Sequence, residues 1–178
     1  MRQFPVILIC RDRFTCTRQL VEWFEQRGYE TIILIDNDST YGPLLDWYDT
    51  LPHTVYRLGE NLGPYAPWKS RYIEKHLRKQ WVIVSDPDVL PVEECPDDAF
   101  DRIYRAMRRH PFTSKIGFSL KIDDIPDAYP KKEVVLNVER HYMADEFRLG
   151  RNLYRAPVDT TLALYRPGGF FETGDVAQ

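Results

Sequence analysis

The chain has 178 residues, 43% of them hydrophobic and 13% aromatic, with a formal net charge of −3. This is a globular composition with enough apolar material for a core, which excludes a disordered chain. The acid excess excludes a broad nucleic-acid footprint and leaves room only for a focused basic site.

Read in order, the chain alternates. "FPVILIC" is a continuous apolar run of strand length, the pattern of a strand buried on both faces. "TRQLVEWFEQRGY" predicts a helix, capped by Thr15 or Thr17, with Leu20, Val21 and Phe24 on one face and Gly28 ending it. "ETIILID" predicts the second strand. "YGPLLDWYDTLP" predicts a short helix with Pro43 in its first turn. "HTVYRLG" is a third strand. "APWKSRYIEKHLRKQ" reads as one long helix with Tyr72, Ile73, His76 and Leu77 turned inward. "WVIVSD" is the fourth strand, "DDAFDRIYRAMRRHP" a helix and "KIGFSLKI" a strand. Past Asp123 the pattern weakens. "DDIPDAYPKKEVV" reads as loop, "LNVERHYMADEFRLGRN" as partly helical and "TTLALYRP" as a last strand. This order predicts an α/β fold: a single-domain, three-layer α/β/α sandwich on a mostly parallel, Rossmann-like sheet.

Cys10, Cys16 and Cys95 form no CxxC pair and read as free thiols of a reducing compartment. The apolar run near the start is too short for a signal core or a membrane span. The expectation is a cytoplasmic protein without a transmembrane segment.

In open α/β sheets, ligands bind outside the carboxyl ends of the strands. Polar clusters end three of the strands here: "CRDR" at 10–13, "DND" at 36–38 and "SDPD" at 85–88. The last is the most informative. Asp86 and Asp88, one residue apart at the end of an apolar strand, can share a divalent cation. Mg²⁺ and Mn²⁺ favour carboxylate oxygen, and Mg²⁺ binds substrate phosphates as well. Pro87 stiffens the turn between them.

The ordered set "ILICRDRFTCTRQL", "IDNDST", "GENLGPYAPW" and "SDPD" resembles the nucleotide-sugar-dependent glycosyltransferases of the GT-A fold, closest to the family-2 type. The resemblance covers residues 4 to 91. It implies a donor-binding half at 1–91 and an acceptor-side half at 92–178, which reads as short for such an enzyme. It also implies roles. Cys10 and Arg11 would line the base pocket, and Asp36 would hydrogen-bond the uracil edge or ribose of a UDP-sugar. Asn61 and Gly63 would lie against the nucleotide or its diphosphate. Asp86 would face the ribose or sugar, and Asp88, with Asp86, would hold Mn²⁺ or Mg²⁺.

The acceptor's proton needs a carboxylate. Asp159, opening the strand "DTTLALYRP", is the first choice, with Asp145, Glu146, Glu172 and Asp175 as alternatives. The expected function is transfer of a sugar from a nucleoside diphosphate to an acceptor. The alternatives are a nucleotide-sugar-binding module without turnover and, more weakly, a nucleotidyltransferase. The latter would want a glycine- and lysine-rich loop after strand one, where "CRDRFTCT" has no glycine.

Overall fold

The structure, a computed structural model, describes residues 2–158 and 162–168. Contacts divide the chain into two compact units, Met1–Gly117 with Thr160–Gln178, and Phe118–Asp159.

The first unit is built around the apolar runs. Strands β1 (Val6–Cys10), β2 (Ile32–Asp36) and β4 (Val82–Ser85) are buried at every position, because each lies inside the sheet with both faces covered. β3 (Thr54–Arg57) is largely exposed, as suits an edge strand. Among the described residues the sheet has six strands in the order β3-β2-β1-β4-β8-β5, with β5 at Lys115–Gly117 and β8 at Ala163–Tyr165. β3, β2, β1 and β4 are parallel. β8 runs antiparallel to both β4 and β5, so β5 again points the way β4 does. This is the mostly parallel, Rossmann-like α/β sheet that the alternating sequence implies.

Helix α1 (Phe14–Gln26) buries Leu20, Val21 and Phe24, the face predicted from its spacing. Phe24 stacks on Phe100 of α5 (Ala99–Arg109), with ring centroids 6.1 Å apart, and meets Tyr29 edge-on at 5.1 Å. Side chains buried to this degree each contribute roughly 1.5–3 kcal/mol, so this aromatic cluster anchors α1 and α5 together. Gly28 ends α1 at φ +73°, a conformation that costs other residues a Cβ clash.

Three local expectations are corrected. Neither Thr15 nor Thr17 caps α1. Arg13 holds the cap position, and the buried Thr17 hydroxyl instead donates back to the Arg13 carbonyl at 2.6 Å. The single long helix expected after residue 66 is two short ones, α3 (Ala66–Lys69) and α4 (Tyr72–His76), after α2 (Gly42–Tyr48) earlier in the chain. The break is at Arg71, which takes φ +60° while its guanidinium pairs with Glu74 at 2.7 Å. That turn leaves Tyr72, Ile73 and Leu77 buried but His76 exposed.

In the second unit, helix α6 (Lys132–Tyr142) begins earlier than the loop-like reading of "KKEVV" allowed. A small hairpin follows, β6 (Arg148–Gly150) against β7 (Leu153–Tyr154), turning at Asn152 with φ +56°. Among the described residues, no helix is long and apolar enough to cross a membrane.

Candidate functional site

Parallel pairing brings the polar strand ends together. Cys10 lies in register with Asp36, and Leu8 with Ser85, so the chain leaves β1, β2 and β4 at one edge of the sheet. A cavity of about 270 Å³ opens there. Its lining comes from four separate segments: Ile9, Arg11 and Arg13 around the end of β1; Asn37 just after β2; Gly63 and Pro64 in the loop after β3; and Asp86, Pro87 and Asp88 after β4. A second cavity, about 350 Å³, opens at the opposite edge beside Phe4, Trp81 and Tyr104, and no carboxylate lines it. Charge of both signs makes the first the candidate site.

Two side chains fix the walls of this cleft. Asn37 is buried and uses both ends of its amide. Its Oδ1 accepts from Leu62 N at 2.7 Å and its Nδ2 donates to Gly63 O at 3.1 Å, so the loop after β3 is tied to the end of β2. Lys69 Nζ donates to Leu62 O at 2.9 Å from the other side. Gly63 sits at φ +77°, the left-handed turn that lets this loop pass the cleft. The second tie is Asp12, between the two arginines. At φ +51°, its Oδ1 accepts from Thr40 N at 2.7 Å and Tyr41 N at 2.8 Å. These two backbone donors hold its carboxyl below the ordinary carboxylate range. Ser39 Oγ accepts from Asp12 N at 3.1 Å and completes the link between the two loops.

Of the residues nominated from sequence, Arg11, Gly63, Asp86 and Asp88 line the cleft. Cys10, Asp36 and Asn61 do not. Cys10 is fully buried, its Sγ donating to Leu8 O at 3.5 Å, and burial pushes its thiol up to about 12. Asp36 is 3% exposed and already engaged: Tyr48 OH donates to Oδ1 at 3.3 Å and Ser39 N to Oδ2 at 3.4 Å. A base contact through Asp36 requires the carboxylate to leave these partners. Burial, with Cys10 and Asp36 beside it, raises the Tyr48 phenol so that it stays a donor. Asn61 is exposed, and its Oδ1 accepts from Gly63 N at 2.9 Å, shaping the turn rather than facing the cavity.

Asp159, Glu172 and Asp175 lie outside the described residues. The strand after Asp159 does begin at this edge, because Ala163 pairs with Val84 and Leu162 N donates to the buried Ser85 Oγ at 3.1 Å. Asp145 and Glu146 are exposed on a short 3₁₀ turn of the second unit, with Asp145 paired to Arg148 at 3.3 Å.

Asn37 and Arg13 are the polar cleft residues that the sequence reading passed over, although both stand inside the stretches "DND" and "CRDR".

Among the described residues, no group of three or more His, Cys, Asp or Glu side chains is placed to hold a metal ion. Asp86, half-buried, and Asp88, exposed, are a two-carboxylate set. Mg²⁺ commonly takes one or two carboxylates and completes its shell with water and substrate phosphates. The pair therefore fits a cation that arrives with a phosphorylated ligand and does not fit a closed structural metal site.

Fold and cleft together define an α/β protein with a charged cleft at the carboxyl edge of its sheet. No family model and no curated protein matches the sequence. Among solved structures, the chain is similar to a 4-diphosphocytidyl-2C-methyl-D-erythritol synthase. The identity is 11%, covering 94% of this chain and 76% of that one, with a TM-score of 0.44. A likeness at that level says nothing about chemistry.

Proposed function

We propose that this chain is a metal-dependent glycosyltransferase that moves a sugar from a nucleoside diphosphate, UDP in the simplest case, to an acceptor. One observation carries the reading: Arg11, Gly63, Asp86 and Asp88, nominated as donor-binding residues from three distant stretches, border one cleft at the carboxyl edge. Ligands of open α/β sheets bind at that edge. In this reading Gly63 and Pro64 form the wall against which the nucleotide lies, and Arg11 borders it. Asp86 and Asp88 hold Mn²⁺ or Mg²⁺, which supplies electrostatic stabilisation of the departing diphosphate. Asp159 takes the proton from the acceptor hydroxyl as the bond from the sugar to the diphosphate breaks and the bond to the acceptor oxygen forms.

The test is a thermal-shift titration followed by a donor-hydrolysis assay. UDP with Mn²⁺ raises the melting temperature, since a ligand that binds only the native state stabilises it. Asp88→Ala removes most of the metal-dependent part of that rise, and the parent slowly releases UDP from a UDP-sugar. Absence of any shift with nucleoside diphosphates at millimolar concentration refutes the reading. Binding without release moves the protein to the class of nucleotide-sugar-binding modules.

A further inference from the structure

We infer that Arg11 and Arg13 form an anion clamp for the phosphates of the ligand, able to hold them without a metal ion. The inference deepens the donor-binding reading above and rests on the same cleft.

Three observations carry it. Both arginines line the cavity, although they are two residues apart and Asp12 stands between them. The Asp12 carboxylate accepts from Thr40 N and Tyr41 N and forms no ion pair with either arginine among the described residues, although the Arg11 charge adds to the lowering of its carboxyl. Neither guanidinium makes a side-chain hydrogen bond, ion pair or ring contact among the described residues. Arginine presents its donors in a fixed fork that matches phosphate oxygens two at a time. Two such forks beside one cleft, held by a tethered loop, are preset for an anion with several oxygens.

The charge balance agrees. Arg11 and Arg13 contribute two positive charges, and Asp86 and Asp88 two negative ones. Without a cation these lining charges sum to zero, and with a divalent cation they sum to about two positive, which suits a diphosphate. The carboxylates would hold the cation, and the arginines would take phosphate oxygens. This predicts a ligand with at least two linked phosphates and affinity that falls, but does not vanish, when metal is removed.

The test measures binding of inorganic pyrophosphate, UDP and uridine to the full chain by calorimetry, in Mn²⁺ and in EDTA. The variants are Arg13→Ala, Arg13→Lys and Arg11→Ala. Pyrophosphate and UDP bind the parent in EDTA. Arg13→Ala weakens both about tenfold in either buffer, the size expected for losing a charged hydrogen bond. Arg11→Ala acts in the same direction, and Arg13→Lys recovers only part, because an ammonium cannot form the fork. Uridine is unaffected by any of them. Raising salt weakens the EDTA-phase binding of the parent more than that of Arg13→Ala. Two results overturn the clamp: complete loss of pyrophosphate binding to the parent in EDTA, or Arg13→Ala and Arg11→Ala both binding UDP like the parent. If the clamp behaves as stated but no UDP-sugar is turned over, the transferase reading fails and the clamp stands.

Discussion

Replacing Asn37 by Ala is the most direct probe of how the cleft is held. Asn37 is 4% exposed, and both of its bonds go to backbone atoms of the loop that supplies Gly63 and Pro64. Each bond is worth about 0.5–1.5 kcal/mol net, and a buried partner left unsatisfied costs more. The truncation should therefore cost about 2–3 kcal/mol. For a chain of this size that is a fall in melting temperature of roughly 5–10 °C. Chemical unfolding at neutral pH, followed by circular dichroism, measures the free energy. Asn37→Asp refines the test. The carboxylate keeps the acceptor for Leu62 N but faces the Gly63 carbonyl without a donor, so its folded-state pKa is raised above the unfolded one. Its deficit relative to the parent is therefore largest at neutral pH and shrinks as pH falls and the carboxyl gains a proton that can be donated. A loss below about 0.5 kcal/mol for Asn37→Ala, or a pH-independent deficit for Asn37→Asp, would refute the Asn37 tie that the distances describe.

Asp159→Asn should lower sugar transfer by about 10²–10⁴-fold while nucleotide affinity by calorimetry stays at the parent value; transfer at the parent rate moves the base to another carboxylate. Tyr48→Phe removes the donor to Asp36 Oδ1 and should cost about 0.5–1.5 kcal/mol in urea unfolding, with no gain in nucleotide affinity. Native-state thiol labelling at mildly alkaline pH should modify half-buried Cys16 first. Cys10, fully buried and with its thiol pushed up to about 12, should react only after unfolding.

Much of the fold is readable in the sequence because its core strands are buried on both faces. "VILIC", "IILID" and "VIVS" have no polar alternation to confuse, and each became a strand of the parallel sheet. The broken helix was not readable. Nothing in "SRYIE" carries a glycine or proline, and the left-handed turn at Arg71 is stabilised by an ion pair that depends on that turn. The hairpin at 148–154 is hidden because its strands are two or three residues long, below the length at which periodicity shows. The strand-end rule pointed to the edge where the cleft opens but not to which side chains line it. In "DND", attention goes to the carboxylates, yet Asp36 is buried against Tyr48 and the neutral Asn37 borders the cavity. In "CRDR", Arg13 lines the cleft together with Arg11 while Asp12 between them is tied to the loop after β2, a tie the sequence does not show.

The position of β8 has a consequence for how the protein is made. Among the described residues, β5 has no bond to β4 and joins the sheet only through β8, which is synthesised about 45 residues later. On the ribosome, β1 to β4 can pair as soon as residue 85 has emerged, and β5 then has no sheet partner until residues 163–165 follow. During that interval the β4 edge, apolar and buried in the finished protein, is open to any other strand. A nascent or proteolysed chain that stops before Ala163 keeps that edge exposed. Aggregation during translation, suppressed by supplying the missing strand as a peptide, is the hazard this topology builds in.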